Sequence, residues 1–197
     1  MRSAILLAPL TALVLVLPAQ AQQPTSATRN MPVTGSVPRT CAIQPGRIQP
    51  GGLNNIAGLD GDTLRIIQFT DPATLAVRAA SATINFEAVC NFPHQVRIES
   101  KNNGLWPVDE RISDRASGFA YAVPYTAEIR WGPITGRMAT TGKLRVMSQR
   151  VFPVENAVAG DFNLRIAIEE GASNVEIRAP LVAGTYVDTV RIFLEPR

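Results

Sequence analysis

Long stretches of this 197-residue chain alternate apolar and polar side chains, residue by residue. In the longest run the apolar members are Val123, Tyr125, Ala127, Ile129 and Trp131. A period of two is that of a β-strand with one buried face. No stretch keeps apolar residues at helical spacing for three turns, so we expect little helix.

The same alternation predicts further short strands, separated by glycine, proline, asparagine and aspartate turns. They lie at residues 64–69, 84–90, 96–98, 144–146, 164–168, 175–177 and 190–194. Residues 41–62 contain two early prolines and many glycines, and we expect them to be irregular apart from a short strand at 42–44. Seven or eight short strands of this kind are typical of one antiparallel β-sandwich domain.

The N-terminus has the features of a secretory signal peptide. Arg2 precedes an apolar stretch at residues 4–17, and Ala19-Gln20-Ala21 supplies small residues for cleavage. The stretch is shorter than the roughly 20 residues that cross a bilayer, so we expect an exported mature chain from Gln22, with no membrane insertion. Without Arg2 the chain has 18 basic and 16 acidic residues, a net charge of +2. The basic residues are scattered along the sequence, which gives no support for nucleic-acid binding.

The chain contains two cysteines, Cys41 and Cys90. An even count in an exported chain favours a disulfide bond, and two free thiols are the alternative. Their spacing, and the presence of a single histidine, do not match a metal site.

The two ends of the mature chain suggest how subunits could associate. Residues 22–40 form a polar leader in which Met31, Val33, Gly35 and Val37 fall on one face of an extended strand. The last strand is expected from about residue 185 to 194, near the end of the sequence, so its outer edge has no successor to pair with. The leader could fold back onto its own domain or add to this edge in another copy.

The C-terminal run APLVAGTYVDTVRIFL, residues 179–194, resembles the closing motif of the spore coat protein U domain family, which includes secreted pilins of archaic chaperone–usher systems. Gly184, Tyr186 and Asp188 match the motif, and the segment around Tyr125 resembles the family's mid-domain tyrosine segment.

The resemblance implies an immunoglobulin-like sandwich over residues 41–197 that lacks its final strand. Its implied partners are a periplasmic chaperone, an outer-membrane usher and other copies or related pilins, which assemble into an adhesive cell-surface fibre. Met31, Val33 and Val37 would then enter an acceptor groove, and Gly35 would pass where no side chain fits. The acceptor groove would be lined by Val190, Ile192 and Leu194. Structural roles would belong to Gly184, Tyr186 and Asp188.

Residues suited to catalysis are sparse, and we expect no enzyme, no catalytic residue, no cofactor and no metal. His94 is expected in a loop without a chemical role, and Asp60-Gly61-Asp62 in a solvated turn. Trp131 is expected in the core, whereas Trp106, in a predicted loop, is the better candidate for stacking on a sugar. The alternatives to a fibre subunit are a tip adhesin or carbohydrate-binding module, and a self-contained periplasmic protein.

Overall fold

In a computed structural model, the structure describes residues 26–109 and 118–197, and the predicted signal peptide at residues 1–21 lies outside the described residues. The chain divides into two units, residues 1–36 and residues 37–197. In the first unit, residues 26–36 contain no strand and are exposed. No helix in the described ranges is long and apolar enough to cross a membrane.

The second unit is built from short strands, and the described residues contain no helix, as the alternation predicts. The strands of its first half are β1 Cys41–Ile43, β2 Arg47–Asn54, β3 Ile56–Asp60, β4 Thr63–Ile66, β5 Ala80–Cys90, β6 His94–Ser100 and β7 Trp106–Pro107. Those of its second half are β8 Thr126–Trp131, β9 Ile134–Ala139, β10 Ser148–Val154, β11 Val158–Ile168, β12 Tyr186–Val187 and β13 Val190–Pro196.

Two antiparallel sheets form the body of this unit. The larger has the order β1-β5-β11-β8-β9. A sixth strand, β2, also pairs with β5. The smaller has the order β10-β6-β13. Short pairs β7–β12 and β3–β4 complete the described strands. The prediction of an all-β, antiparallel fold is confirmed, and the arrangement suits an immunoglobulin-like sandwich.

The core follows from the alternation along β5, β11 and β8. Their pairing places Phe86, Phe162 and Trp131 in one cross-strand row, and Phe162 and Trp131 are fully buried. The rings of Phe162 and Trp131 lie 5.6 Å apart. Trp131 is therefore a core residue, as predicted.

Contacts between the sheets close one side of the sandwich. The Trp131 indole N–H donates to His94 Nε2 on β6 across 2.8 Å, and both residues are fully buried. Further along, a Cβ added to Gly136 on β9 would lie 2.6 Å from the ring of Phe152 on β10. Gly136 thus allows the Phe152 ring to fill the seam between β9 and β10.

Several strand predictions were wrong. Residues 41–62, expected to be largely irregular, form β1, β2 and β3. Residues 144–146 and 175–177, expected as strands, lie in loops with exposed apolar side chains. The last strand is split by Asp188 and Thr189 into β12 and β13, and it extends to Pro196. Short alternating runs do not distinguish a strand from a loop when no neighbouring strand is in register with them.

The predicted disulfide joins Cys41 to Cys90, which are directly paired residues on β1 and β5. Cys90 is fully buried. The bond therefore ties the first strand of the sandwich to the long strand at the centre of the core.

We expect the double variant Cys41→Ala, Cys90→Ala to lose about 4 kcal/mol of unfolding free energy, because the bond closes a loop across a sequence separation of 49 residues. Urea unfolding of the mature chain measures the loss. Dithiothreitol should destabilise the wild-type protein and leave the double variant unchanged. Equal stability of the two oxidised proteins would contradict the prediction.

Candidate functional site

β13 is an edge strand of the smaller sheet. β13 pairs with β6 along one edge, from Val190↔Ser100 to Pro196↔His94. Within the described ranges, no strand pairs with its other edge. Unpaired N–H and C=O groups along a strand edge are a template for pairing by another strand.

The inward side chains of β13 are incompletely covered. Val190, Ile192 and Leu194 pack against the core but are only partly buried. Their partners on β6 are Ser100, Ile98 and Val96, and all three are fully buried. The inward side chains of β6 and β13 thus form one layer. Those of β6 are fully buried, and those of β13 are only partly buried.

The larger sheet also carries partly buried core residues. β1 lies close to β13, and Ile43 on β1 and Phe86 on β5 are among them. We refer to the region of β13 and β1 with these incompletely covered residues as the open margin. Its apolar residues are Ile43, Phe86, Val190, Ile192 and Leu194.

A carboxylate fixes the start of β13. Asp188 accepts hydrogen bonds from the Tyr125 hydroxyl (2.7 Å), the Ser100 hydroxyl (2.6 Å) and the backbone N–H of Asn102 (2.9 Å). Asp188 also accepts from the backbone N–H groups of Gly104 and Thr189. We call this set the Asp188 junction. It ties β13 to the end of β6 and to the segment that leads into β8 of the larger sheet.

The other two motif residues shape the segment before β12. The Tyr186 hydroxyl donates to the carbonyl oxygen of Val182 across 2.8 Å, and the ring of Tyr186 lies 5.4 Å from that of Phe69. Gly184 lies exposed in the bend that this hydrogen bond spans. Tyr186 and Asp188 therefore hold the segment that leads into the final strand.

An ionic network crosses the outer face of the smaller sheet. Arg97 on β6 stacks over Phe193 on β13, with 3.8 Å between the guanidinium carbon and the ring centre. Arg97 also pairs with Glu195 at 3.0 Å and with Glu99 at 2.7 Å, and Glu99 pairs with Arg191. Hydrogen bonds from Arg97 and Gln95 hold the pKa of Glu195 below its usual range. This network adds a second tie between β13 and its neighbour.

The leader residues singled out from the sequence are exposed. Met31, Val33 and Val37 have exposed fractions of 78%, 97% and 83%. Residues 26–40 form no strand, so the predicted extended strand is not formed in this chain. A Cβ added to Gly35 would have no other atom within 4 Å.

Two residues differ from their predicted surroundings. His94, expected in a loop, is the first residue of β6 and is fully buried. Its Nε2 accepts from Trp131, so the proton is on Nδ1, 2.8 Å from the Phe92 carbonyl oxygen. Both ring nitrogens are thus occupied in the core.

Trp106, considered for sugar stacking, belongs to β7 and is 5% exposed, so it presents no surface for a ring to stack on. Asp60, Gly61 and Asp62 lie at the turn between β3 and β4. Among the described residues, no three His, Cys, Asp or Glu side chains lie together as a metal site would require.

No family model matches this chain, and neither does any curated protein.

Sequence reasoning identified the open margin on one side only. It selected Val190, Ile192 and Leu194, but it did not find Ile43 and Phe86, which belong to the other sheet. It also missed the Arg97–Phe193 stack, which follows from the pairing of these two residues across β6 and β13. Asparagine and glycine at residues 102–104 are typical of a turn, but nothing in the sequence relates this turn to Asp188.

We expect Asp188→Asn to lower the unfolding free energy by about 2–3 kcal/mol, because a charged acceptor is lost where hydroxyl and N–H donors converge. Tyr125→Phe removes one of these bonds and should cost about 1.5 kcal/mol. Asp60→Asn, at an exposed turn, is the matched control and should stay within about 0.5 kcal/mol of wild type. Urea unfolding measures all three, and a wild-type value for Asp188→Asn would contradict the assignment.

Stability should also fall in alkali. Burial, and then the charge of Asp188, raise the pKa of Tyr125, and burial raises the pKa of Tyr186 to about 12. In the unfolded chain these phenols ionise near pH 10, so unfolding releases protons above that pH. The stabilisation is complete below about pH 10 and is lost as the pH rises towards the folded values. Thermal unfolding from pH 8 to pH 11 should show a shallower decline for Tyr125→Phe than for wild type, and equal slopes would refute the linkage.

Proposed function

We propose that the mature chain is a structural subunit of a cell-surface fibre, exported to the periplasm and assembled by donor-strand exchange. In this proposal a periplasmic chaperone first covers the open margin. At an outer-membrane usher, the leader of another copy or of a related subunit then replaces the chaperone's strand. The resemblance of residues 179–194 to secreted pilins first suggested this assignment.

The observation that carries the proposal is the contrast between β13 and β6. Ile192 and Leu194 face the core but are partly exposed, whereas their directly paired partners, Ile98 and Val96, are fully buried. Covering a valine or leucine side chain completely contributes about 1.5–3 kcal/mol. Because Ile192 and Leu194 are already partly buried, an added strand would gain part of this energy, together with backbone hydrogen bonds along the β13 edge.

The leader has the chemistry that such a margin needs. Its apolar residues recur at every second position between Met31 and Val37, with Gly35 in place of one side chain. All of them are exposed in the chain as it stands. A strand that pairs along β13 would direct Met31, Val33 and Val37 towards the open margin.

Donation of the leader to another copy leads to a filament. The surface that gives the strand and the surface that receives it are different, so the contact is heterologous and each addition leaves a new free margin. A bare apolar edge also favours aggregation, which is a physical reason for a chaperone during export.

We expect a peptide of residues 28–39 to stabilise the mature chain. At a concentration 100 times its Kd, it should add about 2.7 kcal/mol to the unfolding free energy. Hydrogen exchange should slow at the backbone amides of β13. Thermal unfolding and exchange measured by mass spectrometry give the two readouts.

The matched control is a peptide of the same composition in which both valines change face, carrying Val33→Thr, Thr34→Val, Ser36→Val and Val37→Ser. Moving the two valines to the other face should abolish most of the stabilisation. Deleting residues 22–38 from the protein should abolish multimers. A monomeric mature chain that is indifferent to the native peptide would instead identify a self-contained domain and refute the proposal.

A further inference from the structure

Two neighbouring loops carry exposed apolar side chains that the open margin does not account for. The first is residues 141–147 and the second is residues 173–178. Their apolar members have exposed fractions between 51% and 85%: Leu144, Val146, Met147, Val175 and Ile177. Apolar side chains clustered on exposed loops mark surfaces that associate with other molecules. We call these two segments the apolar loop pair.

The two loops are in contact. A Cβ added to Gly142 would lie 3.2 Å from the Cβ of Asn174. Asn103 holds the first loop, because its side-chain amide donates to the Leu144 carbonyl oxygen and its own carbonyl accepts from Gly142 N–H. Asn103 lies within the turn that the Asp188 junction anchors. The loop pair is therefore at the end of the sandwich where β6 finishes and β13 begins.

The leader joins the domain at the opposite end. The Asn91 side chain donates to the carbonyl oxygen of Pro38, and Cys41 is bonded to Cys90. His94, four positions after Cys90, pairs with Pro196 at the finish of β13. One end of the domain thus carries the disulfide and the leader, and the other carries the apolar loop pair.

Strand direction decides which end of one copy faces the next. Every pairing between the described strands is antiparallel. A donated leader that continues this pattern runs opposite to β13, so its Val37 lies beside the start of β13. Pro38 is already held by Asn91 of the donor's own domain, and Cys41 follows Val37 by four residues, which span at most about 13 Å. The donor's disulfide end must then lie next to the acceptor's apolar loop pair.

We propose that the apolar loop pair is the docking surface for the disulfide end of the next copy in the fibre. This inference rests on the proposed function, and it identifies a second contact between subunits besides the donated strand. The donor end offers its own exposed apolar residue, Val89 beside Cys90, with an exposed fraction of 41%. Covering both sets fixes the angle between successive domains, which the leader alone would leave free.

The test compares full-length mature chains. The double variant Val146→Lys, Val175→Lys places charge on the loop pair. Ile67→Lys is the matched control, because Ile67 is 68% exposed, at least as much as the 52% and 51% of the two loop valines. Ile67 follows β4 and belongs neither to the apolar loop pair nor to the open margin. Thermal unfolding checks that each variant folds, and sedimentation measures association.

We expect the loop variant to raise the dissociation constant between subunits at least about tenfold, as loss of a well-buried contact does, and the control to leave it unchanged. The stabilisation by the peptide of residues 28–39 should be the same in all three proteins. Unchanged association of the loop variant, with intact peptide binding, would overturn the docking surface and leave the fibre proposal standing. If the peptide fails to stabilise the wild-type protein as well, both the docking surface and the fibre proposal are overturned.

Discussion

The position of β13 at the edge of the smaller sheet determines most of the architecture described above. Its inward residues, Val190, Ile192 and Leu194, share the layer of β6 but lack cover on their outer side. A strand in this position gains less from burial than an interior strand, so other interactions must retain it. The Asp188 junction fixes its start, and the stack of Arg97 on Phe193 ties its outward face to β6. Both sets of contacts lie away from the open margin, so they leave its apolar surface accessible.

The two places where the sheets meet, β9 with β10 and β1 with β13, differ in how completely their apolar residues are buried, and single residues account for the difference. Between β9 and β10, Phe152 fills the space that Gly136 leaves, and the seam is packed. At β1 and β13, Ile43, Ile192 and Leu194 pack against the core but remain only partly buried. The disulfide from Cys41 holds β1 on the larger sheet at this same margin. A covalent bond therefore holds β1 to the larger sheet, and the Asp188 junction holds the start of β13 in the smaller one.

Alternation identified the strands whose apolar face lies over the core, such as β5, β8, β11 and β13, because burial on one face is what the pattern encodes. It failed for β2, whose Pro50 and Gly51 accompany a shift of register against β5, and for β9, where Gly136 replaces the expected apolar side chain. The Asp188 junction could not be predicted from local sequence patterns, because Asp188 lies 63 residues from Tyr125 and 88 from Ser100 along the chain. Trp106 was misplaced because its burial depends on β12, a pairing that no local pattern reveals.

The runs at residues 144–146 and 175–177 show that an alternating pattern does not by itself predict a strand. Both have the spacing of a half-buried strand, yet Leu144 and Ile177 are 67% and 85% exposed in loops. The leader has the same spacing and the same exposure. Alternation indicates that one face is suited to burial, but it does not indicate whether the cover comes from the same chain or from another. In the fibre proposed above, the next subunit would supply the cover that these faces and β13 lack.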